Sequence, residues 1–302
     1  MEIARITTTE LASLRACALS LPRWEESVLG RRQGEALTAK RGRGLEYEES
    51  RQYQPGDDIR HMDSRVSARR GELFTKVYRE ERQRRVYVFC DNRATMHFAT
   101  RGRFKRAVAA RAAVLIAWRA LLNGDEVGGL GFGDPDARFH QPSRSAKSMA
   151  AIFEPLIAPA RREETGEEEL SASLDSLLPF YREVSRGSLV FVFSDFRGMT
   201  TRFIDATKAL TRGAVVVAVR VLDTLDQQLP IEAATYVTAN RSGSLRSDSG
   251  FDGVRKAYAA RAAARDAAFL DLADAIGGLA ATMGTRDDPL PGLAAFLSTG
   301  SS

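Results

Sequence analysis

The segment "RRVYVFCDNRATM", Arg84 to Met96, decides how the chain reads. Val86 to Cys90 is an unbroken run of β-branched, aromatic and apolar residues, the pattern of a strand covered on both faces. It ends in Asp91, and Asn92, Arg93, Ala94 and Thr95 follow at once. Strands of this continuous kind belong to parallel sheets flanked by helices, so the segment predicts an α/β domain.

Working outward, "FKRAVAARAAVLIAWRALL" (104–122) predicts a long helix ended by Asn123 and Gly124. "EVGGLGF" (126–132) reads as a second strand and "ARFHQ" (137–141) as a short third strand at an edge. "SLVFVFS" (188–194) and "AVVVAVRV" (214–221) give the fourth and fifth. Residues 254–283 read as one closing helix with Tyr258, Ala262, Phe269, Ala273 and Ile276 along one side. The expected fold is therefore α/β, with a doubly wound, mostly parallel sheet.

Upstream, Thr7 and Glu10 have the spacing of a capping box before Leu11, Leu14 and Ala18, predicting a short amphipathic helix stopped near Pro22. Between Arg31 and Glu81 the texture changes to strand-like segments and turns: "LEYEESRQY", the Pro-Gly turn "QPGDD", then "ELFTKVYRE". The expected organisation is an N-terminal helix within 1–30, a strand-rich appendage over 31–83, the α/β domain over 84–285 and a C-terminal tail over 286–302.

Composition narrows the class. Hydrophobic residues at 44% and charged ones at 27% are ordinary for a globular protein with a full core. No apolar run reaches the roughly 20 residues of a membrane span, and the N-terminus has no basic head before an apolar stretch, so neither membrane nor secretion signal is expected. Two cysteines make no disulfide framework and point to a reducing cytoplasm. Between Arg31 and Arg111 there are 21 Lys and Arg against 11 Asp and Glu. Nucleic-acid binding through this basic third is disfavoured, because acids are interleaved and no aromatic stacking series accompanies the charge.

Two strands end in aspartate, "VYVFCD" at Asp91 and "VFVFSD" at Asp195. In an open parallel sheet, ligands bind beyond the carboxyl ends of the strands, where strand order reverses. In a 3-2-1-4-5 order the first and fourth strands are neighbours there, about 4.8 Å apart, so the carboxylates converge. The alternative is that each Asp caps the next helix or turn. "GGLGFGD" lies within a strand and leads to Asp134 and Pro135 rather than a helix, which argues against a phosphate loop. His61, His97 and His140 lack ligand or triad spacing. "FCDNRAT" is similar to the Asp-x-Asp-x-Thr of haloacid-dehalogenase-type phosphatases, but Arg93 stands where the second Asp is needed.

The stretch "RGRGLEYEESRQYQPGDDIRHMDSRVSAR" (41–69) resembles the signature of the DUF58 family, with Gly42, Gly44, Tyr53, Gly56, Asp57, Asp58, Arg60, Asp63, Ala68 and Arg69 in place. The segment downstream of it is similar to a von Willebrand factor A domain. The resemblance implies an A-type fold and a role as a non-enzymatic adaptor or assembly factor beside a MoxR-type AAA+ ATPase or its client. It also implies a metal-ion-dependent adhesion site: Asp-x-Ser-x-Ser after the first strand, a threonine from a later loop and an aspartate after the fourth. Matched residue by residue, Asp91 takes the first position, Thr95 the second hydroxyl and Asp195 the last. Arg93 replaces the first serine, Glu168 falls where the threonine is expected, and Ser64 replaces the usual tryptophan after Asp63.

A Mg²⁺ site needs hard oxygen ligands in a close octahedron, and a guanidinium repels the cation. The expectation is a degenerate site with no metal or other cofactor, in which Arg93 neutralises Asp91, Asp195 and Glu168. The alternative is that Arg93 points to solvent and Asp91, Thr95 and Asp195 bind a metal weakly, or that nothing binds there. Asp57, Asp58, Arg60 and Asp63 form either a turn-stabilising ion-pair network or, with Gly56 and Arg69, a contact surface of the family motif. A metal-dependent hydrolase using Asp91 and Asp195 is the runner-up from another class.

Overall fold

A computed structural model describes residues 7–23, 45–54, 62–80, 84–134, 136–157, 174–229, 235–237, 244–246 and 252–299. The chain divides into two compact units, residues 38–83 and the remainder.

In the smaller unit, β1 (Leu45–Gln52) and β2 (Phe74–Glu80) pair antiparallel, with a bulge between Tyr47 and Glu49. A helix lies between them where the sequence reads as strand and turn: α2, Ser64–Arg70. Asp63 starts it by accepting from the N–H groups of Arg65 and Val66, and Gly71 ends it at φ 72°.

The larger unit carries a six-stranded sheet. Its strands are β3 (Arg85–Asp91), β4 (Glu126–Phe132), β5 (His140–Ser143), β6 (Ser188–Ser194), β7 (Ala214–Leu222) and β10 (Ala280–Gly284), in the order β10-β7-β6-β3-β4-β5. All pairings are parallel except that of β5, which runs antiparallel at one edge. The α/β, doubly wound, mostly parallel sheet expected from the sequence is present, and β3 and β6 are neighbours at the reversal point as the 3-2-1-4-5 order requires.

Alternation along the central strands feeds a core on each face. Val86, Val88 and Cys90 of β3 face one core with Leu189, Phe191 and Phe193 of β6. Helix α3 (Lys105–Leu122) is Ala-rich and buried almost all round because it is packed by the sheet, by α1 (Thr8–Ala18), by α4 (Ala146–Ile157) and by α8 (Pro289–Thr299). On the other face Tyr87, Phe89, Val190 and Val192 meet Phe203 of α5 (Thr201–Leu210) and Phe269, Leu272 and Ile276. Those last three lie on or just beyond α7 (Asp252–Ala275). A four-residue helix, α6 (Thr224–Gln227), follows β7, and β8 (Thr235–Val237) pairs with β9 (Ser244–Arg246) apart from the main sheet.

Three differences from the sequence reading concern edges and ends. Residues 254–283 are not one helix: α7 stops at Ala275, and after Gly277 and Gly278 the chain enters β10. "LAATMG" reads as helix by propensity, but Ala281 and Met283 bury themselves beside β7 in strand geometry. Residues 289–299, within the segment read as a tail, form α8 with Leu293, Phe296 and Leu297 at 0% exposure. The edge strand occupies 140–143 rather than 137–141.

Candidate functional site

The site lies where β3 and β6 end. Their parallel register, with Cys90 opposite Phe193, brings Asp91 and Asp195 to the same end of the sheet. Both are buried, and so is Arg93 at 5% exposure. The chain leaves β3 through an extended Arg93 into a 3₁₀ turn, Ala94–Met96, and this folds the guanidinium back over the strand end.

Arg93 grips Asp91. Its Nε donates to Oδ1 and Oδ2 at 3.0 Å each, its Nη2 to Oδ2 at 2.7 Å and its backbone N–H to Oδ1 at 2.9 Å. The Ser194 hydroxyl adds a bond to Asp91 Oδ2 at 2.6 Å. Arg93 Nη1 donates to the carbonyl of Arg197 at 2.9 Å, and Nη2 stands 3.6 Å from Asp195 Oδ1. Gly133, at φ 90°, lies so close that a Cβ there would fall 2.4 Å from Arg93 Cγ.

A second and a third cation complete the network. Lys105, in the first turn of α3 and 1% exposed, donates through Nζ to Asp195 Oδ2 at 2.7 Å and to Asp226 Oδ2 at 3.1 Å. Asp226 belongs to α6, whose capping box pairs it with the N–H of Asp223 at 2.8 Å. Arg197 also pairs with Asp226, and its N–H reaches Asp195 Oδ1 at 3.0 Å. Three carboxylates, Asp91, Asp195 and Asp226, thus meet three cations, Arg93, Lys105 and Arg197. The turn that aims the Arg197 N–H is strained: Phe196 has φ 53°, the one non-glycine residue with positive φ among those described.

Electrostatics follow from burial and pairing. For Asp195, burial pushes the carboxyl up, but the charge and hydrogen bond of Lys105, the Arg197 N–H and Arg93 bring it below its usual value. Burial works against the charge on Arg93, yet Asp91 and Asp195 hold it above its ordinary value. Burial, then the charge of Asp91, raises the Cys90 thiol. His97, beside the site with Nε2 near the carbonyl and side-chain oxygen of Asn92, is lowered by burial and by Arg106.

Of the residues named from sequence, the structure brings together Asp91, Arg93 and Asp195. Thr95 sits on the 3₁₀ turn with its Oγ1 buried and without a hydrogen-bond partner, outside the network. Glu168, Gly56, Asp57, Asp58 and Arg60 lie outside the described residues. Asp63 caps α2 and accepts from Ser50 at 2.6 Å, and Arg69 is in the last turn of that helix. Sequence reasoning missed Lys105, Ser194, Arg197 and Asp226. A signal existed for the α6 region, because β7 is also followed by an aspartate, Asp223, which accepts from Thr100 and Thr285. Of the basic third, Arg93, Lys105 and Arg106 are buried and present no surface to a polyanion.

The residues present do not fit a divalent ion. Both oxygens of Asp91 and of Asp195 already accept from protein donors, and a guanidinium and an ammonium stand where a cation would be drawn. Among the described residues no group of three or more His, Cys, Asp and Glu side chains is arranged to hold a metal.

Residues 49–268 match a family described as "Protein of unknown function DUF58". The chain belongs to the DUF58 family. Relatives of this DUF58 protein include "Uncharacterized protein Rv1480" of Mycobacterium tuberculosis and "Uncharacterized protein Mb1516" of Mycobacterium bovis. Each is 29% identical over 273 residues, spanning 90% of this chain and 83% of the relative. Similar solved structures include an aerotolerance-related membrane protein from Bacteroides fragilis, at 15% identity and TM-score 0.44, over 70% of this chain and 96% of that one. BatB from Bacteroides thetaiotaomicron gives 16% and 0.44, over 71% and 97%. The SpRpn10 VWA domain gives 11% and 0.34, over 70% and 94%. In the DUF58 chain no helix among the described residues is long and apolar enough to cross a membrane.

Proposed function

We propose that this DUF58 protein is a non-enzymatic interaction module whose strand-end site is a self-neutralised counterpart of a metal-ion-dependent adhesion site. One observation carries the reading: each strand-end aspartate is matched by an internal cation, Asp91 by Arg93 and Asp195 by Lys105. A carboxylate held this way is neither a metal ligand nor a free general base, so the groups a hydrolase would need are already engaged. A partner docking over this end of the sheet meets a fixed, charge-balanced surface and is recognised by shape and by the partly exposed Arg197.

The partner class, a MoxR-type AAA+ ATPase or its client, rests on the family resemblance. A reducing, cytoplasmic setting belongs to the same proposal and is supported by free Cys17 and Cys90. Two measurements test it. Titration calorimetry of the chain with Mg²⁺ and with Mn²⁺ gives no micromolar binding; a clear isotherm, or metal-stimulated turnover of p-nitrophenyl phosphate, overturns the reading of the site. Sedimentation of the chain with the MoxR-type ATPase of its own organism gives a complex. Independent migration at tens of micromolar overturns the partner.

A further inference from the structure

At the opposite end of the sheet lies a second surface with different chemistry. Trp118, Leu121 and Leu122, in the last turns of α3, floor a groove of about 260 Å³ whose rim carries Arg15 of α1, together with Arg144 and Ala146 at the start of α4. The chain passes from Leu122 straight into β4 at Glu126, and Ser143 pairs with Val127 at that same strand's beginning. Both walls therefore belong to the amino-terminal ends of the parallel strands, away from Asp91 and Asp195.

The groove is apolar below and basic at the rim. Trp118 is partly buried against the core, with Arg15 stacked over its ring at 5.5 Å. Among the described residues the lining contains two arginines and no carboxylate, and neither arginine makes an ion pair. Leu19, 62% exposed, is one turn beyond Arg15 at the end of α1. The volume is below the roughly 300–1,000 Å³ of small-molecule pockets and suits an anchoring side chain. A single aromatic ring without a stacking series does not suit single-stranded nucleic acid.

We infer that this groove binds an acidic peptide segment of a partner protein, which inserts a leucine or phenylalanine against Trp118, Leu121 and Leu122 and sets carboxylates against Arg15 and Arg144. An apolar anchor in a pocket, ringed by charges that fix register, is a recurrent arrangement of protein interfaces, with Trp and Arg among the side chains that dominate their energy. The inference is independent of the strand-end site, so either can fail without the other.

The test uses fluorescence anisotropy with the full chain and a fluorescein-labelled probe peptide carrying a Leu-Phe pair flanked by glutamates. Binding is expected in the micromolar range at low salt and weakens as salt is raised. Arg15→Glu and Arg144→Glu, both at exposed positions, each reduce affinity at least about fivefold, and Trp118→Ala about tenfold. Lys208→Glu, an exposed charge reversal on α5, changes affinity less than about twofold. Circular dichroism of each variant verifies the fold, and Trp118→Phe, which keeps an aromatic floor, restores most of the binding if Trp118→Ala loses stability. Absence of binding, equal binding of a lysine-flanked peptide, or an equal loss from Lys208→Glu overturns the inference. So does capture of phosphatidylglycerol vesicles or single-stranded DNA through Arg15 and Arg144 while the peptide is inert.

Discussion

Arg93 and Asp91, two residues apart, form a closed pair in which backbone N–H, Nε and Nη2 of the one all reach the carboxylate of the other. Pairing at this separation requires the extended backbone of Arg93 (φ −62°, ψ 160°) and the 3₁₀ turn after it. The pair is local in sequence but serves a contact that is not, since the same guanidinium reaches the Arg197 carbonyl beyond β6.

Removing the guanidinium leaves Asp91 buried with only the Ser194 hydroxyl and the backbone N–H at position 93, and Asp195 short of a neighbour. Arg93→Ser is expected to cost about 3–5 kcal/mol, the usual loss when one partner of a buried pair is deleted. A double change of Arg93→Met with Asp91→Leu, which takes both charges out, costs much less. Chemical denaturation of the two variants checks this, and Arg93→Ser with added MgCl₂ asks whether a divalent ion replaces the guanidinium. A single variant as stable as wild type in EDTA would contradict the prediction.

Gly133 offers a gentler way to disturb the same pair. Its φ is 90°, and a methyl carbon added there would lie 2.4 Å from Arg93 Cγ, so Gly133→Ala strains the backbone and pushes the guanidinium off Asp91. A loss of about 2 kcal/mol or more is expected by denaturant titration. Gly124→Ala, at φ 82° but with nothing within 4 Å, carries the backbone strain alone and loses less. Equal losses from the two would deny the contact with Arg93.

These particulars show how much is legible before folding. Continuous apolar runs announce β3 and β6 because a strand buried on both faces has no polar side to show, and the Asp at each end is visible with them. Lys105 is not: one cation in the first turn of a helix reads as solvated, and only the packing of α3 against the sheet turns it toward Asp195. Asp226 depends on a four-residue helix with no periodicity to detect. The strand β10 takes its identity from pairing with β7, which no local propensity encodes. Helix α2 went unread although Asp63 and Gly71 stand at its two caps, because strand-like segments on either side of it set the texture of the region. The glycines of "GGLGFG" answer to packing: a Cβ on Gly129 would lie 1.9 Å from the Val88 carbonyl.

The two cysteines should separate cleanly in reactivity. Cys17 is exposed on α1, whereas Cys90 is at 0% exposure in β3 with its thiol raised by burial and by Asp91. Thiolate is the reactive form, so Cys90 waits on opening of the central sheet. With iodoacetamide under native conditions, peptide mass spectrometry is expected to find Cys17 labelled about a hundredfold faster. Comparable rates would mean that the end of β3 opens without global unfolding.

The pH dependence of stability should have two separable parts. Asp195 sits below its usual value in the folded protein while the unfolded chain titrates near 3.9, so its contribution is present above about pH 4 and is lost as pH falls through the lowered value. His97 is also lowered when folded, against about 6.5 unfolded. As pH drops below about 6.5 the unfolded chain takes up its proton first, so stability begins to decline there. Unfolding free energy measured across pH 7.5 to 3 is therefore expected to fall in two steps. His97→Gln flattens the upper one and leaves the lower, whereas Asp195→Asn makes the acid limb shallower and leaves the upper. An acid limb of unchanged slope in Asp195→Asn would mean that the Lys105 pairing does not hold the carboxylate charged.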